Sequence, residues 1–393
     1  MKVVIAAVSS SGQLSGVQRH AINLAQSLLT RGEVMEVHFL AAEWQREGFE
    51  DTLPRNDFRL VVHYLNLRNK TANRNLWYYF QLPQLANQIH ADIVHLAYPM
   101  PVLRNAFRCP VVVTLHDCYP YDIPENFGIP KVFFNRIVLR QCLRAVNAIA
   151  CVSRSTLDRL SAIDPDLARD KASVIYNMVN PWAENANQVS TPWWGSSPFV
   201  LCVAQHRHNK NIPLVLRIFE RLLQAKRLSA QTRMLIIGIE GPETQRIMRF
   251  IEESGLADRV ILLNGITEEH LQWSYAHCML LLAPSSIEGF GLPVAEGLLA
   301  GCRIVCSDIP AFREIGDSHC SFVALGKDEL RDFTDAVCKS IAAPTPLPIA
   351  LPQLSAGKIA DKYMKLYSSL LSRGNENAFN QIYPPIEKGQ EIK

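Results

Sequence analysis

The stretch KVVIAAVSSSGQLSGVQRHAINLAQSLL, Lys2 to Leu29, decides the architecture. Val3 to Val8 is an apolar run without a polar break, which is how a strand buried on both faces reads. A Ser/Gly loop follows from Ser9 to Gly16. Val17, Ile22, Leu24, Ala25, Leu28 and Leu29 then recur with helical spacing, and Gly32 marks the stop. EVHFLAA, Glu36 to Ala42, is the next strand. Strand, loop, helix, strand is the unit from which parallel sheets are made, because parallel neighbours need a crossover between them.

The alternation continues. Ala91–Tyr98 and Pro110–Asp117 are buried-strand runs, Lys131–Asn147 reads as a helix, Ala148–Ser153 as a strand, and Ala172–Asn177 closes the unit. Residues 181–198 are rich in Pro, Asn, Ser and Gly and break the pattern, as a connection between domains does. The pattern then restarts. Phe199–Gln205, Arg233–Gly238, Arg259–Asn264, Cys278–Pro284 and Cys302–Asp308 read as strands with helical stretches between them. A Pro-rich connector, Ala343–Gln353, leads to one amphipathic helix, Ala356–Ser372. The polar end from Gly374 to Lys393 is expected to be mobile.

The chain has 393 residues, 48% hydrophobic and 20% charged, with net charge +3. That suits two or three domains with a large core and gives no reason to expect nucleic acid as a partner. Ten cysteines without a C-x-x-C pair read as reduced, buried thiols of a cytoplasmic protein, with neither a disulfide framework nor a zinc site. The first apolar run is short and passes straight into a helical pattern, so it does not read as a signal peptide. No stretch reaches the ~18–20 apolar residues that span a bilayer. A membrane would be met from its surface.

In open parallel sheets, ligands bind beyond the carboxyl ends of the strands, so the loops there carry the chemistry. Gly12 and Gly16 open the first helix, where backbone N–H groups can face an anion. His116 and Asp117 end a buried strand at the cleft edge; a neutral histidine there can donate to a hydroxyl, or the pair can serve the fold alone. In AQHRHNKN, the cations His206, Arg207, His208 and Lys210 precede a helix start, which disfavours positive charge. An anion should offset them, and a diphosphate suits an Arg fork and a Lys point charge. Gly238 opens a turn after a strand, and Ile266 follows Asn264 and Gly265 in another.

The stretch SSIEGFGLPVAEG, Ser285 to Gly297, holds two glutamates eight positions apart. Pro293 suits the first helical position, and Glu296 then falls in the first turn, where a negative charge is favourable. Glu288 precedes the glycines Gly289 and Gly291, outside the helix, and has no such explanation. The backbone of Gly289–Leu292 presents N–H donors beside it.

This arrangement resembles the retaining glycosyltransferases of family 4, group 1, with the GT-B fold of two Rossmann-like α/β domains. The E-x7-E pattern around GFGLPVAE carries most of the likeness. HRHNKN, SGVQRHAINLAQSLL, VTLHD, ACVSRST and YMKLYSSLL support it over residues 1–373. The resemblance implies a retaining, metal-independent hexosyltransferase that needs no cofactor. It would move a sugar from a UDP- or GDP-sugar to a glycan or lipid-linked acceptor in polysaccharide or glycoconjugate biosynthesis. Glu296 would hold the ribose, Glu288 the donor sugar, and Arg207 and Lys210 the departing diphosphate. Gly16 would lie by the diphosphate or sugar, His116 by the sugar, and the backbone of Phe290 to Leu292 at the anion. Gly289, Gly291, Gly238 and Ile266 would complete the donor site. The implied division is an acceptor domain over 1–180, a linker over 181–198, a nucleotide-sugar domain over 199–353, a crossover helix over 354–373 and a disordered tail over 374–393.

Three departures from the family pattern stand out. Ser15–Gly16 replaces a glycine doublet, Asn177–Met178 replaces Asn-Gly, and the short basic loop leaves His206 competing with Arg207. On the acceptor side, Arg136, Arg140 and Arg144 fall on one helix face, either a solvated stripe or a contact for an anionic membrane. Trp77, Tyr78, Tyr79 and Phe80 read as core, with a sugar or lipid platform as the alternative. Another GT-B nucleotide-sugar enzyme (an epimerase or phosphorylase-like protein) and a silent partner subunit remain competing readings.

Overall fold

The computed structural model describes residues 1–50, 52–54, 56–179 and 190–382. Two parallel sheets form. The first contains β1 (Lys2–Ala6), β2 (Glu36–Ala42), β3 (Leu60–Leu65), β4 (Ile93–Leu96), β5 (Val111–Leu115), β6 (Ala148–Cys151) and β7 (Ala172–Val174), in the order 3-2-1-4-5-6-7. The second contains β8 (Phe199–Val203), β9 (Arg233–Ile237), β10 (Val260–Leu263), β11 (Leu280–Ala283), β12 (Ile304–Ser307) and β13 (Ser321–Val323), in the order 10-9-8-11-12-13. Every strand pairing is parallel.

In both sheets the strand order reverses direction at one place, between β1 and β4 and between β8 and β11. The loops leaving such neighbours run to opposite faces and open a crevice. The Ser9–Ser15, Ala204–Asn211 and Pro284–Gly291 segments leave β1, β8 and β11, so the topology sends the sequence-marked loops to the crevices.

Each sheet is covered on both faces. The helix Gly16–Leu29 packs with Ala21, Leu24, Ala25 and Leu28 against Val3, Ile5, Val37 and Phe39. Ile359, Tyr363, Tyr367 and Leu370 of the helix Ala356–Ile382 join that same core. The last helix therefore crosses from the second domain onto the first, and Arg31 pairs with Asp361 at 2.7 Å to fix it. It continues to Ile382, past the expected end at residue 373. The Gly374–Lys393 expectation otherwise falls on 383–393, outside the described residues, as does 181–189 of the expected linker.

Two strands were not expected. β3 is half-exposed at a sheet edge, so no continuous apolar run announces it, and β13 has only three residues. All ten cysteines are free thiols. Among the described residues, no helix is long and apolar enough to cross a membrane.

Candidate active site

The loops after β1, β5, β8 and β11 meet around one cavity of about 360 Å³ between the domains. Gly16 and His116 from the first domain line it, with Arg207, Lys210, Gly238, Ile266, Glu288, Gly289, Phe290, Gly291, Leu292 and Glu296 from the second. His206 does not. It is buried, with Nδ1 2.9 Å from Thr244 Oγ1, so the fold places Arg207 rather than its neighbour on the cavity wall.

Three glycines are required by close approaches. A Cβ on Gly238 would lie 1.9 Å from the Ala204 carbonyl oxygen, and one on Gly289 would lie 1.7 Å from that of His116. Gly291 has φ +96°, which turns the chain into the helix Leu292–Leu299. A Cβ on Gly16 would make only an ordinary 3.8 Å contact with Leu292 Cδ1, so among the described residues no atom demands glycine there. Gly12 packs on the Trp44 carbonyl and is not on the cavity wall. The loop above it is stapled by Gln18, whose Oε1 accepts the Ser15 N–H at 2.7 Å and whose Nε2 donates to the Ser11 carbonyl at 2.8 Å.

The helix begins at Leu292, with Pro293 second, so Glu296 lies in its second turn. The helix-start explanation for Glu296 therefore fails. The Tyr275 hydroxyl donates to Glu296 Oε2 at 2.7 Å. Loss of hydration pushes the carboxyl up to about 7, against the pull of Arg19 and the Tyr275 bond and aided by Glu268. Arg19 also lines the cavity and pairs with Glu268 across the two domains. Sequence reasoning missed it, although it sits one turn beyond Gly16 on the same helix.

Lys210 ends a short 3-10 turn, His208–Lys210, and its Nζ lies 2.6 and 2.7 Å from the two Glu288 oxygens. Only 17% and 8% of these side chains are exposed. Lys210 therefore has a protein anion, Glu288, beside it on the cavity wall. Asn209 holds the turn in place: Nδ2 donates to the Ile287 carbonyl at 3.1 Å and to the Tyr119 hydroxyl of the first domain at 3.2 Å.

His116 donates from Nε2 to the Ala97 carbonyl at 2.8 Å, and burial pushes its pKa down to about 4, so it is neutral. Asp117, also on the wall, accepts the Tyr119 N–H at 3.0 Å. Burial raises it to about 6 while that bond, Arg207 and Lys210 pull it down. The Gly289 carbonyl accepts hydroxyl bonds from Ser153 and from Thr156, the latter at 3.0 Å. Glu314 caps the helix Arg154–Ile163 from the other domain, accepting the Arg154 and Ser155 N–H groups at 2.7 and 3.1 Å. The domains are thus latched around the cavity. Asn177–Met178 adopts no left-handed turn; Met178 is buried, and its sulfur accepts the Ser27 hydroxyl at 3.0 Å.

Cations, helix-start donors and paired carboxylates at facing switch points of two parallel α/β domains define the GT-B glycosyltransferase architecture. The chain belongs to glycosyltransferase family 4: residues 14–182 match the Glycosyltransferase Family 4 model and residues 185–323 the Glycosyl transferases group 1 model. It is 26% identical over 220 residues to the O-antigen chain mannosyltransferase RfbU of Salmonella typhimurium, and spans about half of that protein, 56%. It is 24% identical over 336 residues to O-antigen chain mannosyltransferase B of Escherichia coli, covering 81% of this chain and 85% of that one. The solved structure of WaaG, a glycosyltransferase involved in lipopolysaccharide biosynthesis, shares the fold with TM-score 0.64 at 15% identity, covering 98% of this chain and 100% of that one. HepE of Anabaena, solved with UDP and glucose, does so with TM-score 0.62 at 16% identity, covering 97% and 99%.

Proposed function

We propose that the protein moves mannose from GDP-mannose to a glycan or lipid-linked acceptor of a surface polysaccharide, with retention of configuration. The observation that carries the reading is the meeting of Arg207, Lys210, Glu288 and the Leu292–Leu299 helix start in one interdomain cavity. The mannosyl choice is supported by the relatives' names, RfbU and mannosyltransferase B among them. The sugar–phosphate bond breaks toward the diphosphate, and the acceptor oxygen bonds to the sugar carbon from the same face. The acceptor proton passes to the leaving phosphate oxygen. Charge grows on the diphosphate, where Arg207, Lys210 and the backbone of Gly289–Leu292 stabilise it without requiring a metal. Glu288 orients the sugar and Glu296 the ribose.

A thermal-shift comparison of GDP-mannose, UDP-glucose and ADP-glucose tests the donor. The bound donor adds ~2.7 kcal/mol of stability at 100 times its dissociation constant. Silence with every nucleotide-sugar would refute the reading, and a retained anomeric configuration in the NMR spectrum of the product would support its stereochemistry.

Glu296 gives a pH prediction. Its folded pKa of about 7 lies above the ordinary 4.5. Its contribution to stability is thus complete below about 4.5 and is lost as pH rises through 7. Ribose hydroxyls favour the ionised form, so binding expels the proton. Affinity for GDP is expected to rise ~3–10-fold between about pH 6 and about pH 8, beyond the change shown by Glu296→Gln. Calorimetry with equal slopes for both proteins would remove Glu296 from the ribose.

The expected arginine stripe is largely engaged within the protein. Arg136 Nε donates to the Pro120 carbonyl at 2.7 Å, and Arg144 pairs with Asp164 at 3.2 Å. The same helix, Ile129–Ala145, instead exposes Phe133, Phe134 and Ile137 at 68%, 46% and 51%, beside exposed Lys131 and Arg140. Of the aromatic cluster, Trp77 and Tyr78 are buried and Phe80 is half-exposed. An apolar ridge flanked by cations suits an anionic membrane on the inner face of a cytoplasmic site. Flotation with vesicles containing phosphatidylglycerol should fall at least ~5-fold when Phe133, Phe134 and Ile137 become Ser. Unchanged flotation would leave the protein off the membrane.

A further inference from the structure

Beneath the cleft, side chains from four separate elements form a buried hydrogen-bonded row. Tyr367 comes from the crossover helix, His95 from β4, Thr114 from β5 and His20 from the helix Gly16–Leu29. The Tyr367 hydroxyl lies 2.6 Å from His95 Nδ1. His95 Nε2 lies 2.8 Å from Thr114 Oγ1, and His20 Nε2 lies 2.9 Å from the same oxygen. All four residues are at most 3% exposed.

Donor counting fixes the direction of the row. Tyr367 has His95 Nδ1 as its one hydrogen-bond partner among the described residues, so an undonated Tyr367 proton would be buried and unsatisfied at a cost of about 1–3 kcal/mol. Tyr367 therefore donates to Nδ1, and His95 donates from Nε2 to Thr114. The Tyr363 hydroxyl lies 3.5 Å from Thr114 Oγ1 and has no other hydrogen-bond partner among the described residues, so it donates there too, and Thr114 is left to donate to His20 Nε2. His20 must then carry its proton on Nδ1. Asn177 lies in hydrogen-bonding reach of His20, and its Oδ1 is buried with no other donor among the described residues. His20 also meets His116 edge-on, with ring centroids 4.8 Å apart. Asn177 and His116 both line the cleft. Burial disfavours protonation of His20, His95 and His116 alike, so neutral tautomers are the ones to be ordered.

We propose that Tyr367, His95, Thr114 and His20 are positioning residues that seat His116 and Asn177 in the cleft only when the crossover helix is docked. This rests on the glycosyl-transfer reading. The row links the carboxyl-terminal helix, which closes the chain over both domains, to the sugar end of the cavity. It touches none of the second-domain residues assigned to the nucleotide.

Two measurements on the full chain test it. Histidine 15N–1H spectra should show His95 as the Nε2–H tautomer and His20 as the Nδ1–H tautomer, and Tyr367→Phe should release both; opposite tautomers, or no response, overturn the proposal. In kinetics, Thr114→Val and Tyr367→Phe should each lower kcat ~5–20-fold while the donor KM stays within ~2-fold. The double variant should be no worse than Thr114→Val, because both break one row. A purely structural role would lower Tm and leave kcat of the folded fraction unchanged, and independent losses that multiply would also overturn it. If Thr114→Val does not fold, Tyr367→Phe alone decides by the same kcat and spectral criteria. Wild-type protein without nucleotide-sugar turnover would instead remove the glycosyl-transfer reading, leaving the tautomers still to be read.

Discussion

Lys210→Ala is expected to lower kcat by ~10²–10³-fold, and adding Glu288→Ala to restore stability without restoring turnover. The ion pair explains both halves. Alone, Lys210→Ala leaves the Glu288 carboxylate, 8% exposed, without its partner at 2.6 Å. Breaking a buried pair on one side costs ~3–5 kcal/mol, and the partial exposure of Lys210 puts this case near the lower end. Removing the carboxylate as well eliminates the unpaired charge, so Tm should recover most of the loss. Turnover should not recover, because the cation proposed to meet the developing charge of the diphosphate is gone. Glu288→Gln should separate the roles further, with ~10²-fold lower kcat and the amide still bridging the loop. Calorimetric unfolding and initial rates with the donor found by thermal shift provide the readouts. A Lys210→Ala enzyme with more than a tenth of wild-type turnover would show that the pair is structural.

The pairing of Lys210 with Glu288 shows where sequence reading stops. Both residues could be picked out locally, one because cations crowd a helix start and the other because a carboxylate stands outside a helix. Their partnership joins positions 78 residues apart and depends on how β8 and β11 lie side by side. Glu296 errs in the opposite way. Read from Pro293, it belongs to the first turn; the helix in fact starts at Leu292, and one residue removes the dipole argument while leaving the carboxylate half-buried against Tyr275.

The strands β1, β2, β4, β5 and β6 could be read because parallel strands covered on both faces are continuous apolar runs. The edge strands β3 and β13 lack that signature. The site loops were recognisable because they follow strands, and the reversal of strand order then makes them face one cavity. Arg19 had no motif around it, only a place on the helix after Gly16. The Tyr367–His95 bond spans 272 residues, beyond any local periodicity.

Gly289→Ala should be as damaging as losing Lys210, through geometry alone. Its added Cβ would lie 1.7 Å from the His116 carbonyl oxygen, where real carbon atoms stay beyond about 3 Å. Neither side yields easily. The Gly289 carbonyl is held by the Ser153 and Thr156 hydroxyls, and His116 is anchored to the Ala97 carbonyl at 2.8 Å. The clash lies across the domain boundary, so the cheapest relief is for the domains to part by an ångström or more. Both sheets stay folded under that movement, but the first-domain His116 and the second-domain Lys210 no longer line one cavity at the spacing proposed for transfer. Misplacement on this scale costs ~10²-fold in rate. We expect kcat to fall at least that far, GDP affinity to change less than ~3-fold, and small-angle scattering to show a wider particle. The contrast with Lys210→Ala is diagnostic, since that variant should keep wild-type dimensions. Near-normal turnover in Gly289→Ala would mean that the His116–Gly289 contact is absent from the reacting geometry, and that transfer proceeds from a more open arrangement of the two domains.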